Sequence, residues 1–181
     1  MSNIEEPIDP QVEESINPQQ EPIDPQVEEL ISEKSAKDIF LKYKNELIDE
    51  FGRKALNSEQ CNYIGKKNFG KQWGGTLPWN KVHVKSNKYY VINTSSSGHP
   101  GIHWMALVTI GKKAYFWDSY NRSVKRLLPH LIHTLMKHRY RFGVTDHPMD
   151  QIGDTSEVCG HESLAWLMTV RDIGIDQAKS V

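Results

Sequence analysis

Apolar residues recur at helical spacing in three stretches of the 181-residue chain and form strand-like runs in three others. In "SEKSAKDIFLKYKNELIDEFG", Ile39, Phe40, Tyr43, Leu47, Ile48 and Phe51 share one helical face, and Gly52 stands where a C-terminal cap is expected. "GKKNFGKQWGGTLPWNKVHV" keeps no period and is rich in Gly, Trp and turn residues, which predicts a structured loop. Strands are predicted for "YYVINT" (89–94), "HWMALVTI" (103–110) and "AYFWDSY" (114–120), with a short turn at Gly111 and Lys112 joining the last two. "SVKRLLPHLIHTLMKHRYRF" returns to helical spacing through Leu127, Leu128, Leu131, Ile132, Leu135 and Met136, and Pro129 is tolerable early in that helix. A polar segment, "GVTDHPMDQIGDTSEV", then leads to "CGHESLAWLMTVRDIGI". There Leu164, Leu167, Met168 and Arg171 mark a last helix with Cys159 at its start. Helices and strands in this order describe an α+β chain.

Before the first helix the pattern dissolves. "EPIDPQVEE" occurs at 6–14 and again at 21–29, a period of 15 residues in two copies. Its prolines and surplus of acid oppose helix formation and leave too little apolar surface to offset chain entropy. Residues 1–32 are therefore expected to be an acidic disordered tail, acting as a spacer, a docking peptide or an arm that competes with polyanions, ahead of one domain over 33–181.

Charge divides the chain at the same place. Residues 1–33 hold ten Asp and Glu and no Lys or Arg, leaving 22 basic against 13 acidic side chains in the rest, a net of +9 there. Such an excess suits a polyanion such as nucleic acid, without sequence specificity. Arg122, Lys125, Arg126, Lys137, Arg139 and Arg141, in and around one helix, are the candidate DNA contacts. No run of about 18 apolar residues is present to span a bilayer, and the N-terminus lacks the basic and then apolar pattern of a secretory signal. Two cysteines, Cys61 and Cys159, are too few for a disulfide framework.

A reactive thiol is the alternative use of cysteine. Cys159 lies where the free N–H groups and macrodipole of a helix N-terminus stabilise a thiolate. His103 and Asp118 fall on neighbouring antiparallel strands. With a two-residue loop at Gly111 and Lys112, His103 faces Tyr120 and Asp118 is its diagonal neighbour on the same side of the sheet, roughly 7–8 Å away at the Cα. A four-residue loop keeps that pairing, whereas a three-residue loop sends the aspartate to the other face. Gln151, eight residues before the cysteine, could supply an amide donor to an oxyanion beside the backbone N–H of Cys159. Base, orienting carboxylate, amide donor and thiol together meet the needs of thiol-based acyl transfer.

His99 is the rival to His103 as base. His161, two residues from Cys159 on the helix, points to a different face. His130 and His133 have the i, i+3 spacing of a metal pair with His138 nearby, but leucines surround them and no carboxylate or thiol joins them locally, so no metal is assigned.

The stretches "VINTSSSGHPGIHWMALV", "YFWDSYN", Gln151 and "CGHESLAWL", with "FGKQWGGTLPWNKV" upstream, resemble adenain, the maturation protease of adenoviruses. More distantly they resemble the cysteine proteases that deconjugate ubiquitin-like proteins. The resemblance covers roughly residues 55–173 and is specific in the order and spacing of His, Asp, Gln and Cys. It implies a papain-like core of the adenain type, a central mixed sheet packed between helices, with the catalytic cysteine at the N-terminus of a buried helix. It further implies that His103 is the general base, Asp118 its orienting acid, Gln151 an oxyanion donor and Cys159 the nucleophile, with Trp104 and Gly160 flanking the site.

Capsid or core precursor proteins cut near glycine during virion maturation of a DNA virus or virophage are the substrates this implies. The protein would then be a monomer found in the virion and infected cell, without a required cofactor, with DNA as an activator and no membrane partner. A deconjugating protease and a catalytically idle, basic DNA-binding virion protein are the alternatives. Departures from adenain are an aspartate in place of its glutamate, a Gln-to-Cys gap one residue longer, and only 22 residues after Cys159. The last implies that helices completing the substrate groove are missing or replaced by the N-terminal part. Adenain's activating peptide forms a disulfide ahead of the glutamine, and between residues 62 and 158 this chain has no cysteine, leaving Cys61 as the one substitute.

Overall fold

The computed structural model describes residues 25–143 and 157–181, the first ten of them as backbone alone. Helix α1 (Pro25–Phe51) starts ahead of the apolar pattern that predicts it. Pro25 takes the first position, where its missing N–H costs no intrahelical bond, so the second copy of the repeat opens the helix rather than blocking it. The segment expected to be disordered up to residue 32 is thus helical from Pro25. Ala36, Phe40 and Leu47 form its buried stripe. Gly52, at φ 79°, ends it with its N–H 2.8 Å from the Ile48 carbonyl.

The expected loop after it holds regular structure. Helix α2 (Ser58–Phe69) opens on a reciprocal cap in which the Asn57 side chain accepts from the Gln60 N–H at 2.9 Å and the Gln60 side chain from the Asn57 N–H at 3.0 Å. Its buried face includes Gly65, where a Cβ would come within 2.2 Å of the Trp73 indole. That contact seats strand β1 (Trp73–Pro78) on the helix. Asn62 adds to it by accepting from Trp73 Nε1 and from the Thr76 N–H, both at 3.0 Å.

Strands β2 (Lys88–Asn93), β3 (Trp104–Ile110), β4 (Lys113–Trp117) and β5 (Arg141–Gly143) complete one mixed sheet ordered β1-β2-β3-β4-β5. The two outer pairs are parallel and the two inner ones antiparallel. The basic helix is divided: α3 (Val124–Leu127) stops as Leu128 leaves helical geometry at φ −129°, ψ 52°, and Pro129 begins α4 (Pro129–Lys137). A proline disfavours helical backbone in the residue before it, so Pro129 starts a new helix instead of sitting early in one long one. The end of the predicted helix is strand β5, too short to carry a period of its own.

Strand alternation sends the two faces of the sheet into two cores. Val91, Ala106, Val108, Tyr115 and Trp117 pack with α1, α2, α5 (Cys159–Ile173) and α6 (Ile175–Ala178), while Tyr90, Ile92, Met105, Leu107 and Phe116 pack with Leu128, Leu131 and Leu135. The molecule is therefore an α+β fold with helices on both faces of an open mixed sheet. Helix α5 is buried from Gly160 to Val170, enclosed by α1 and the sheet, and so is less amphipathic than its sequence suggests. Two of its buried polar side chains are paired: Lys44 Nζ lies 2.5 Å from Glu162 Oε1, and Thr169 Oγ1 donates to the Ala165 carbonyl at 2.9 Å. Among the described residues no helix is long and apolar enough to cross a membrane.

Candidate active site

The β3–β4 hairpin decides whether His103 and Asp118 can meet. Ile110 pairs with Lys113 across a two-residue loop at Gly111 and Lys112, with Gly111 at φ 56°. Ala106 consequently pairs with Trp117, and continuing that register past the strand ends sets His103 against Tyr120. Their ring centroids are 5.1 Å apart. Asp118 lies on the same side, and His103 Nε2 is 2.5 Å from Asp118 Oδ1, both residues being buried. His103 sits one residue before β3, where its carbonyl accepts from the Thr94 N–H at 3.0 Å and ties the approaching loop to the sheet.

Asp118 is enclosed by the turn that follows it. Arg122 Nε donates to Oδ2 at 2.9 Å, its Nη2 to Oδ1 at 3.2 Å and its backbone N–H to Oδ2 at 3.1 Å, with Asn121 at φ 47° bending the chain back. Burial by itself would raise the Asp118 carboxyl. Hydrogen bonds from His103 and then Arg122 outweigh it and hold the group well below the usual carboxylate range. Arg122, expected among the DNA contacts, thus also holds the acid, with its side chain 40% exposed. Lys125, Arg126, Lys137, Arg139 and Arg141 are exposed on α3, α4, the turn after it and β5.

Cys159 is the first residue of α5, as its sequence context predicts, and is partly exposed. His103 and Cys159 line the same cleft, and the thiol, like Asp118, pushes the imidazole up; since Nε2 is engaged by the aspartate, Nδ1 is the nitrogen left to face the thiol. Burial pulls the imidazole pKa down, but the hydrogen bond to Asp118 and the interaction with Cys159 more than reverse this, and the net direction is up. An imidazole whose charged form the aspartate stabilises therefore stands at the same cleft as the thiol, the setting that thiol-based acyl transfer needs.

Trp104 and Gly160 complete the wall. The indole Nε1 donates to the Leu56 carbonyl at 2.8 Å, and Ser163 Oγ on α5 donates to the Trp104 carbonyl at 3.3 Å. A Cβ on Gly160 would approach Leu56 Cβ and Trp104 Cδ1 to 3.2 Å, so a small residue is needed after the cysteine for helix, loop and tryptophan to close together. Leu56 is a member of the site that sequence reading misses, because its role lies in its backbone oxygen.

A cleft of about 540 Å³ opens beside Cys159, bounded by residues 55–58, the end of β1 and the loop 93–102. His99 lines it without taking the place of His103 at Asp118. Asn93 shapes that loop, its Oδ1 accepting from the Ser95 N–H at 2.8 Å and the Ile102 N–H at 3.4 Å. Gln151 lies outside the described residues.

The other candidates disperse. His161 is wholly buried, and burial holds its ring neutral. His130 stacks on Trp79 at 5.5 Å, and among the described residues no group of three or more His, Cys, Asp and Glu side chains could hold a metal ion. Cys61 is fully buried on α2 and presents no surface to an incoming thiol, so it does not replace the cysteine that adenain's activating peptide uses.

No protein-family model matches the chain, and neither does any curated protein.

Proposed function

We propose that the protein is a cysteine endopeptidase with a papain-like core of the adenain type. One observation carries the reading: a buried His103–Asp118 pair at 2.5 Å and a partly exposed thiol at a helix N-terminus meet at one cleft, which His103 and Cys159 both line. In the proposed cycle Cys159 Sγ adds to the scissile carbonyl, and the oxyanion meets the backbone N–H groups at the start of α5, with Gln151 as a further donor. His103 passes its proton to the departing amine as the carbon–nitrogen bond breaks. It then takes a proton from water, whose oxygen attacks the thioester, breaks the carbon–sulfur bond and frees the acid and the thiol. Asp118, held by Arg122, orients the imidazole and stabilises its charged form.

Capsid or core precursor proteins of a DNA virus or virophage, cut near glycine in the virion or infected cell, are the proposed substrates. DNA is the proposed activator through Lys125, Arg126, Lys137, Arg139 and Arg141. A deconjugating protease for ubiquitin-like modifiers is the second reading, and it is favoured by one residue, Asp118, the acid that branch uses. Coexpression with candidate precursors, with and without DNA, tests the proposal against Cys159→Ala. Cleavage after a small residue, lost in the variant, is expected; cleavage that persists in the variant would remove Cys159 from the mechanism.

A further inference from the structure

The cleft beside Cys159 has an uneven chemistry. Among the described residues no Asp, Glu, Lys or Arg lines it, and apart from His99, His103 and Cys159 its polar residues are neutral amides and hydroxyls, among them Asn57, Thr76, Asn93, Ser95 and Ser96. Two of these are peculiar. Thr76, on β1, is 6% exposed and Ser95, just after β2, is 9% exposed, and neither Thr76 Oγ1 nor Ser95 Oγ has a hydrogen-bond partner. Their neighbours are satisfied: the Thr76 N–H is bound by Asn62 and the Ser95 N–H by Asn93, so the backbone around both hydroxyls is fixed while the hydroxyls are left over.

A buried hydroxyl without a partner has lost its hydration with nothing in return, and such groups are rare in folded proteins. Two of them on one cleft, next to the candidate nucleophile, form a built but unsatisfied recognition surface. A χ1 rotation between staggered positions is enough to redirect either hydroxyl without moving the backbone. Each can donate to one ligand atom and accept from another.

We propose that Thr76 and Ser95 form a specificity subsite for an uncharged hydrogen-bonding side chain, Ser, Thr, Asn or Gln, in the peptide segment flanking the scissile bond. This rests on the thiol-protease reading and narrows its substrate class. An apolar residue leaves both hydroxyls unpaired. A Lys loses its hydration in a cleft whose described wall carries no carboxylate. Both therefore bind worse than the neutral polar residue, by the same logic that lets a site built around hydroxyl recognition reject the analogue lacking it.

The test uses peptidyl vinyl sulfones, which alkylate a protease thiol irreversibly. A set that holds glycine next to the electrophile varies one further position at a time among Asn, Ser, Leu, Val, Glu and Lys, and Cys159 labelling rates are read by intact mass. At one position Asn or Ser is expected to label about tenfold faster than Leu or Val, and that ratio to fall toward one in Thr76→Val and Ser95→Ala. Thr76→Val has nearly the same shape and removes an unpartnered hydroxyl, so its melting temperature is expected to equal or exceed that of the unaltered chain. Rates indifferent to side-chain polarity at every position, or a ratio unchanged in both variants, overturn the subsite and leave the protease reading standing. A Cys159 that reacts with iodoacetamide and with every peptidyl probe no faster than in urea-unfolded chain removes the protease reading and the subsite with it.

Discussion

Arg122 grips both carboxylate oxygens of Asp118, Nε to Oδ2 at 2.9 Å and Nη2 to Oδ1 at 3.2 Å, while Oδ1 also holds His103. A fork of this kind fixes the carboxylate plane as well as its charge, which a lysine cannot do. Arg122→Lys and Arg122→Ala are both expected to slow alkylation of Cys159 by iodoacetamide about tenfold, since a turned Asp118 no longer aims His103 at the thiol. The readout that separates this from simple loss of structure is the Asp118 carboxyl titration followed by carbon NMR. It should move up toward the ordinary range in Arg122→Ala, because one of its two depressing partners is gone.

Asp118 and His103 shift in opposite directions, and stability should follow both. The folded carboxyl is depressed, so its contribution is present above about pH 4 and is lost as pH falls through the folded value. The folded imidazole is raised, so its contribution is complete below about pH 6.5 and is lost as pH rises through the folded value. The stability gap between the unaltered chain and Asp118→Asn is therefore expected to be widest between those limits and to narrow on both sides. Urea unfolding at a series of pH values measures it, and a gap independent of pH would contradict the pairing. The His103 titration itself should fall in Asp118→Asn and in Cys159→Ala, each variant removing a group that raises it.

The two cysteines should behave as different reagents. Burial pushes the Cys61 thiol up to about 12, and Cys159 adds to that effect, whereas Cys159 is partly open to the cleft. Iodoacetamide at pH 6 is expected to modify Cys159 alone in the folded protein and faster than a free cysteine, with Cys61 reacting only after unfolding. Peptide mapping of the alkylated chain decides this; early modification of Cys61 would show that α2 opens more readily than its packing implies.

Trp104→Phe keeps most of the ring and loses the bond from Nε1 to the Leu56 carbonyl. A cost of about 1–2 kcal/mol in unfolding free energy is expected, because that carbonyl is left without its donor beside Gly160. Restoration of the full stability by adding Leu56→Ala would be inconsistent with this, since the lost acceptor is backbone and remains.

Periodicity and turn chemistry made much of this legible. The α1 stripe, the three central strands, the helix starting at Cys159 and the parity that sets Asp118 beside His103 all depend on interactions within a few residues or across one tight turn. What escaped the reading depended on how side chains fold back onto one another, which spacing along the chain does not show. Helix α2 carries Gly65 in its interior, where the pattern suggests a loop, and the reason for that glycine is the Trp73 indole laid over it. Pro25, read as a helix breaker, is harmless at a first position whose location the pattern did not mark. Arg122 read as one more basic residue near a basic helix, and nothing in the spacing showed that the turn after Asp118 folds its guanidinium back onto that carboxylate.

Taken by itself, then, the order of residues determined where helices and strands would form and which side chains could do chemistry, because those follow from spacing, propensity and the length of one hairpin loop. Tertiary structure alone decided that His103 bonds Asp118 and shares a cleft with Cys159, that Arg122 holds the Asp118 carboxylate, and that Thr76 and Ser95, whose buried hydroxyls have no partner, line that cleft. Burial and hydrogen-bond satisfaction are properties of which surfaces meet, and no single segment carries them.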